Sequence, residues 1–187
     1  MKKISEKLVF SGNWLSVIET IHINKQGQPV IWETVQRKNI RNIVVIIAHL
    51  IPSKRYVLIK QFRPAINKTV LGFPAGLNPD NDIESQALRE LREETGYYGK
   101  IREISPELAL SPAMTNETVR ICHATIDEAD PRNLNPQQDL EPEEQIEVVL
   151  VNSNNVREFL IDQQALGIEI GVGLWYLFAI NTNTTLT

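Results

Sequence analysis

The stretch "LRELREETGY" (88–97) crowds three carboxylates, Glu90, Glu93 and Glu94, onto neighbouring positions of one helical segment. Like charges at this spacing repel by roughly 0.2–0.5 kcal/mol per pair, so the arrangement needs a reason. A solvated charged face partnered by Arg89 and Arg92 is one, and angular position tests it. At about 100° per residue, with Ile83 at zero, Ala87 falls near 40°, Leu91 near 80° and Leu88 near 140°, which defines the face that packs. Glu94 then lies near 20°, Glu90 near 340° and Glu93 near 280°, whereas solvating carboxylates belong on the far side with Ser85, Arg89 and Arg92. Carboxylates at the edge of a packed face are partly desolvated and need a positive counter-charge. Clustered oxygen ligands of this kind suit Mg²⁺ or Mn²⁺, and a metal site is the expectation.

Outward from this segment the elements fall into place. The helix opens at about Asp82, whose carboxylate can cap the first turn, and stops at Gly96. A Gly/Pro-punctuated loop with a short strand, "INKTVLGFPAGLNPDND" (66–82), precedes it, and the apolar runs "IVVIIAHL" (43–50) and "RYVLIKQF" (55–62) predict a central hairpin. Alternation in "LVFSGNWLSVIETIHI" (8–23), a turn at "NKQGQP" (24–29) and "VIWETVQR" (30–37) predict a small N-terminal antiparallel sheet. Two strands, "VRICHATI" (119–126) and "QIEVVLVN" (145–152), flank the loop "DEADPRNLNPQQDLEPEE" (127–144), and structureless loops of this length are often functional. "NNVREFLIDQQAL" (154–166) and "GVGLWYLFAI" (171–180) read as helices, with Trp175 in the core. There is no internal repeat. The expected fold is an α/β sandwich with a mixed sheet, divided into an N-terminal sheet region (1–40) and a main domain (41–187).

Composition narrows the chemistry. The 187 residues are 42% apolar and 22% charged, as in one ordinary folded domain with a sizeable core. A net charge of −4 argues against a non-specific grip on nucleic acid, while a small anionic substrate remains compatible if local arginines or metal ions supply positive charge. The one cysteine, Cys122, cannot form an intrachain disulfide, and no stretch has the length of a membrane span. A cytoplasmic protein without membrane or nucleic-acid partners is expected. Cys122, His22, His49 and His123 show no metal-ligand spacing.

The run from Arg89 to Tyr97 resembles the core of the Nudix box, G-x5-E-x7-R-E-u-x-E-E-x-G-u, over nine consecutive positions, with "FPAGL" (73–77) upstream where that family has its loop. The spacing from Gly76 to Arg89 is one residue shorter than the pattern, and Asn81 or Asp82 stands where the first glutamate belongs. The resemblance implies the Nudix α/β/α sandwich and metal-dependent cleavage of a phosphoanhydride. Carried over by position, Glu90 and Glu94 are metal ligands, Glu93 a ligand or support, the carbonyl of Ala75 completes the shell, and Arg89 holds the carboxylates in place.

The remaining sequence is similar to the ADP-ribose/ADP-sugar pyrophosphatase branch: "SGNWLSV", "WETVQR", "VLIKQFRP", "FPAGL" and the acidic loop before "IEVVLV" occur in that order. This resemblance implies hydrolysis of ADP-ribose or a related ADP-sugar to AMP and a sugar phosphate by a homodimer that exchanges its N-terminal sheet. A pyrophosphatase for another nucleotide sugar such as GDP-mannose is the nearest alternative, and a non-catalytic nucleotide-binding module a more distant one. Trp14 and Trp32 match residues that sandwich adenine, though the residues alone equally allow core packing. Arg37, Arg63 and Leu77 match substrate contacts, with Lys60 a neighbouring charge and surface solvation the alternative for Arg37 and for Arg63. Glu144 matches the general base on the acidic loop, and Glu141 and Glu143 stand beside it. Where the branch has Pro-Gly, this chain has Pro112-Ala113, so the turn there is expected to differ.

Overall fold

The computed structural model describes residues 1–39, 42–79 and 82–179. The expected boundary at 40/41, Asn81 in the box loop and Ile180 at the end of the last apolar stretch lie outside the described residues.

Three antiparallel strands, β1 (Lys2–Ser11), β2 (Leu15–Ile23) and β3 (Pro29–Arg37), form the N-terminal sheet in the order β1-β2-β3. Its second turn closes because Asn24 Oδ1 accepts from the N–H groups of Gln26 and Gln28, both at 2.9 Å, and Gly27 takes a φ of 77°. All ten residues of β1 are exposed, Ile4, Leu8 and Phe10 among them. The compact unit that contains this sheet also takes in Leu77–Ile83 and Ser105–Arg120. Within it the 111–117 stretch runs along β3, with the Val35 N–H donating to Met114 O at 2.9 Å.

The large sheet is built from β4 (Asn42–Ile51), β5 (Arg55–Arg63), β6 (Lys68–Gly72), β7 (Ala75–Leu77), β8 (Lys100–Ile104), β9 (Leu108–Ala109), β10 (Thr118–Asp127), β11 (Ile146–Asn152) and β12 (Glu169–Ile170). The order is β12-β6-β5-β4-β10-β8, with β11 on β5, β7 on β4 and β9 on β10. It is mixed, since β12 runs parallel to β6 while β5 is antiparallel to β4, β6 and β11. Three of these strands were not legible from hydrophobic pattern: β8, β9 and β12 are short or largely exposed, so alternation is too brief to register.

Helices α1 (Ile83–Thr95), α2 (Val156–Ala165) and the short α3 (Val172–Leu174) complete the fold. Register shows which face of β5 meets which layer. Leu58 clusters with Leu71, Val151, Val156, Leu160 and Leu174, so the even-numbered face packs on α2. The odd-numbered face carries Val57, Ile59, Gln61 and Arg63, and Arg63 is close enough to Glu94 of α1 to act on its charge. The chain is thus a mixed sheet between helical layers, as expected. One expectation fails: the final apolar stretch makes α3 and then a π-helical turn (Trp175–Ala179) in which Trp175 is 38% exposed, not core. An apolar run fixes no facing when it is too short to show helical periodicity.

Candidate active site

Helix α1 is amphipathic in an unusual way. Its buried residues are Gln86, Ala87, Leu91, Glu94 and Thr95, so a carboxylate sits inside the packed face at 2% exposure. Glu94 Oε2 accepts from the Ala75 main-chain N–H at 2.9 Å, which fixes the start of β7 on the helix. Burial pushes the Glu94 carboxyl up to about 8; the Ala75 hydrogen bond and Arg63 oppose this rise, and the charges of Glu90 and Glu144 add to it. Glu90 is also raised, by burial first, with Arg89 opposing and Glu93 and Glu144 reinforcing.

Glu90 Oε1 accepts from Gln86 Nε2 at 2.6 Å and from Arg89 Nη2 at 3.0 Å. Arg89 Nη1 reaches Glu93 Oε2 at 2.7 Å, so one guanidinium binds two of the three carboxylates. Gly76 makes the close packing possible: a Cβ there would fall within the Glu90 carboxyl group. The shortened spacing before Arg89 therefore still delivers the upstream loop to the helix carboxylates.

Of the last four carbonyls of α1, orphaned by helix geometry, those of Arg92, Glu93 and Glu94 accept hydrogen bonds. Leu91 O accepts from Thr95 Oγ1 at 2.5 Å and Arg92 O from the Gly96 N–H at 2.7 Å. Glu93 O accepts from the Asp139 N–H at 2.9 Å, and Glu94 O from Gln138 Nε2 at 2.6 Å. The long acidic loop thus finishes the helix. Gly96 serves twice, at a φ of 76° and with no room for a Cβ against the backbone of Gln137 and Pro136. Farther along the loop, Glu144 is half-buried while Glu141 and Glu143 are exposed, and Glu144 Oε2 accepts from the Glu141 N–H at 3.1 Å.

Among the described residues, no group of three or more His, Cys, Asp or Glu side chains is arranged to hold a metal ion by itself. The donor chemistry nonetheless fits a hard divalent cation. A buried carboxylate with its proton affinity raised, a second beside it, and main chain held against both are groups that a cation stabilises.

Arg63 is exposed at the end of β5, opposite Lys68, and makes a cationic edge to the same unit. Lys60 instead lies on the α2 face and pairs with Glu147 at 3.3 Å. Leu77, the last residue of β7, is 36% exposed. Trp14, Trp32 and Arg37 belong to the other compact unit. Neither tryptophan is core: Trp14 is 79% and Trp32 44% exposed. Trp32 Nε1 donates to Ala113 O at 3.3 Å, placing the Pro112-Ala113 turn against the indole. Arg37 is not merely solvated, since its Nε pairs with Glu117 Oε1 at 2.8 Å. Cys122 is buried, His22 bonds Thr20 and His49 packs on Tyr56.

Gln86 and Gln138 also belong to this arrangement and were not read from the sequence, whereas Gly76 was read there as the start of the box. Gln86 had a signal, standing four residues before Glu90 on the same helix. Gln138 had none, because both its acceptors are main-chain carbonyls, which every residue has.

No protein-family profile matches the chain. It is 32% identical over 173 residues to the ADP-sugar pyrophosphatase of Mus musculus, covering 88% of this chain and 78% of that protein. It is 33% identical over 168 residues to an uncharacterised Nudix hydrolase of Schizosaccharomyces pombe, covering 86% and 82%. A crystal structure of an ADP compounds hydrolase matches with a TM-score of 0.67 over 86% of this chain and 83% of that one, at 20% identity, and so bears on the fold alone. With a carboxylate-lined helix in that fold and relatives matched over most of their length, the chain belongs to the Nudix hydrolase family.

Proposed function

We propose that this protein hydrolyses the pyrophosphate bond of ADP-ribose or a related ADP-sugar, releasing AMP and a sugar phosphate. The observation that carries this is the burial of Glu94 on the Ala75 N–H beside Glu90, in a chain whose relatives include an ADP-sugar pyrophosphatase. Glu90 and Glu94, with Glu93 in support and the Ala75 carbonyl, would hold a divalent cation, Mg²⁺ or else Mn²⁺. That cation, when bound, supplies positive charge against the diphosphate and makes water more acidic.

The chain's own groups do the rest. Arg89 keeps the Glu90 and Glu93 carboxylates in place. Arg63 offers a guanidinium fork to phosphate oxygens. Glu144 takes the proton of the attacking water, and its partial burial and electrostatic reach to Glu90 and Glu94 favour it over Glu141 and Glu143. Leu77 lines the substrate site, Arg37 contacts the nucleotide, and Trp14 and Trp32 stack the base, for which their exposure leaves both rings accessible. The exposed apolar residues of β1, Ile4, Leu8 and Phe10, favour a homodimer that exchanges its N-terminal sheet, and a single buried thiol suits the cytoplasm.

The deciding experiment is a metal-dependent hydrolysis assay on a panel of nucleotide conjugates. AMP release from ADP-ribose that stops with EDTA, returns with Mg²⁺ and is lost in Glu94→Gln supports the proposal. Preferential GMP release from GDP-mannose, or undiminished turnover in E94Q, overturns it.

A further inference from the structure

The loop between β10 and β11 is fastened unevenly. Up to Asp139 it is anchored at short intervals. Glu128 N–H donates to Ile51 O at 3.0 Å, and the Glu128 carboxylate binds the Ser53 N–H and Arg55. Buried Asn133 exchanges hydrogen bonds with the Tyr98 main chain at 2.8 and 3.0 Å. Pro136 and Gln137 lie on Gly96, and Asp139 N–H donates to Glu93 O. Beyond that, residues 140–145 hydrogen-bond only to one another among the described residues, through Glu141 and Glu144.

Gln138 stands where these two regimes meet. Its Nε2 donates at once to Glu94 O, at 2.6 Å, and to Ile146 O, at 3.2 Å. The first acceptor is the helix residue whose carboxylate is buried at the site, and the second is the first residue of β11, just after Glu144. A single amide group therefore closes both ends of the 140–145 segment onto α1. We propose that Gln138 is a positioning residue: it clamps this segment into a short flap with fixed ends and so sets where Glu144 is presented to the helix carboxylates. The catalytic consequence rests on the proposed role of Glu144, but the clamp itself does not.

The substitutions that test it are Gln138→Met, which keeps length and loses both donors, and Gln138→Ala, with melting used to confirm the fold. In metal-free protein, exchange of the hydrogen-bonded amides of Asp139, Glu141 and Glu144 should accelerate at least several-fold in both variants. In the loaded enzyme kcat should fall roughly 10- to 100-fold, as expected for a misplaced catalytic group, with KM for the nucleotide sugar changed less than about twofold. Unchanged exchange in both variants overturns the clamp. Accelerated exchange with unchanged kcat overturns its positioning role. Full turnover in Glu144→Gln would remove the proposed base while leaving the exchange result to decide the clamp on its own.

Discussion

The carboxyl group of Glu90 occupies the space that a Cβ at residue 76 would fill, so Gly76 and Glu90 are complementary in shape. Gly76 is not needed for its backbone, since its φ lies outside the left-handed region. What a methyl group would displace is the flexible end of a glutamate, not main chain. Gly76→Ala should therefore fold with a melting temperature close to that of the wild type, while Glu90 swings away from its place. Turnover should fall roughly 10- to 100-fold and recover in part at high Mg²⁺. A metal titration of activity checks this, and an unchanged half-saturating concentration would count against the shape relationship.

At Gly96 the same substitution has a different cost. The residue has a φ of 76° and its missing Cβ faces the main chain of Gln137. A left-handed alanine costs roughly 1–2 kcal/mol, before any movement of the loop. Gly96→Ala should lower the melting temperature by about 3–8 °C, and calorimetry on the two proteins measures it.

Glu94 gives the apo protein a pH-dependent weakness. Its carboxyl titrates at about 8 in the folded chain against a reference value of 4.5. Between these values the folded state binds the extra proton, so stability falls as pH rises through the window. Glu94→Gln has no proton to lose there. In EDTA it should melt higher than the wild type at pH 8. Each pH step of one across the window is worth ~1.4 kcal/mol, or roughly 3–5 °C for a chain of this size. The difference should close near pH 5. Melting curves across pH 5 to 9 that remain parallel would contradict the burial cost.

Trp32 is 44% exposed and holds the Ala113 carbonyl through its indole N–H. If its ring stacks a base, Trp32→Phe keeps an aromatic face and Trp32→Ala does not. A stacked base is worth roughly 1–3 kcal/mol, so KM for ADP-ribose should rise about 5- to 150-fold in the alanine variant and much less in the phenylalanine one, with kcat little changed. Equal KM values for all three proteins exclude stacking at Trp32.

Much of this was legible in the residues. Helical period alone puts Glu94 at the packed face of α1, and it is buried there. The central hairpin and β11 were legible for a similar reason, since long apolar runs must be buried. Trp175 was not, because its run has apolar residues on every side and no period to orient it. The capping of α1 by Gln138 and Asp139 was invisible too, since donor and acceptor are 44 and 46 residues apart and the acceptors are carbonyls that every residue has.

The sequence by itself determined the family resemblance, the helix and its carboxylates, because those are written in residue type and local spacing. Only the tertiary structure decided that Gly76 makes room for Glu90 and that the acidic loop is the cap of the helix it serves. Those relations depend on which distant segments meet, and shape and hydrogen-bond complementarity between such segments has no period along the chain.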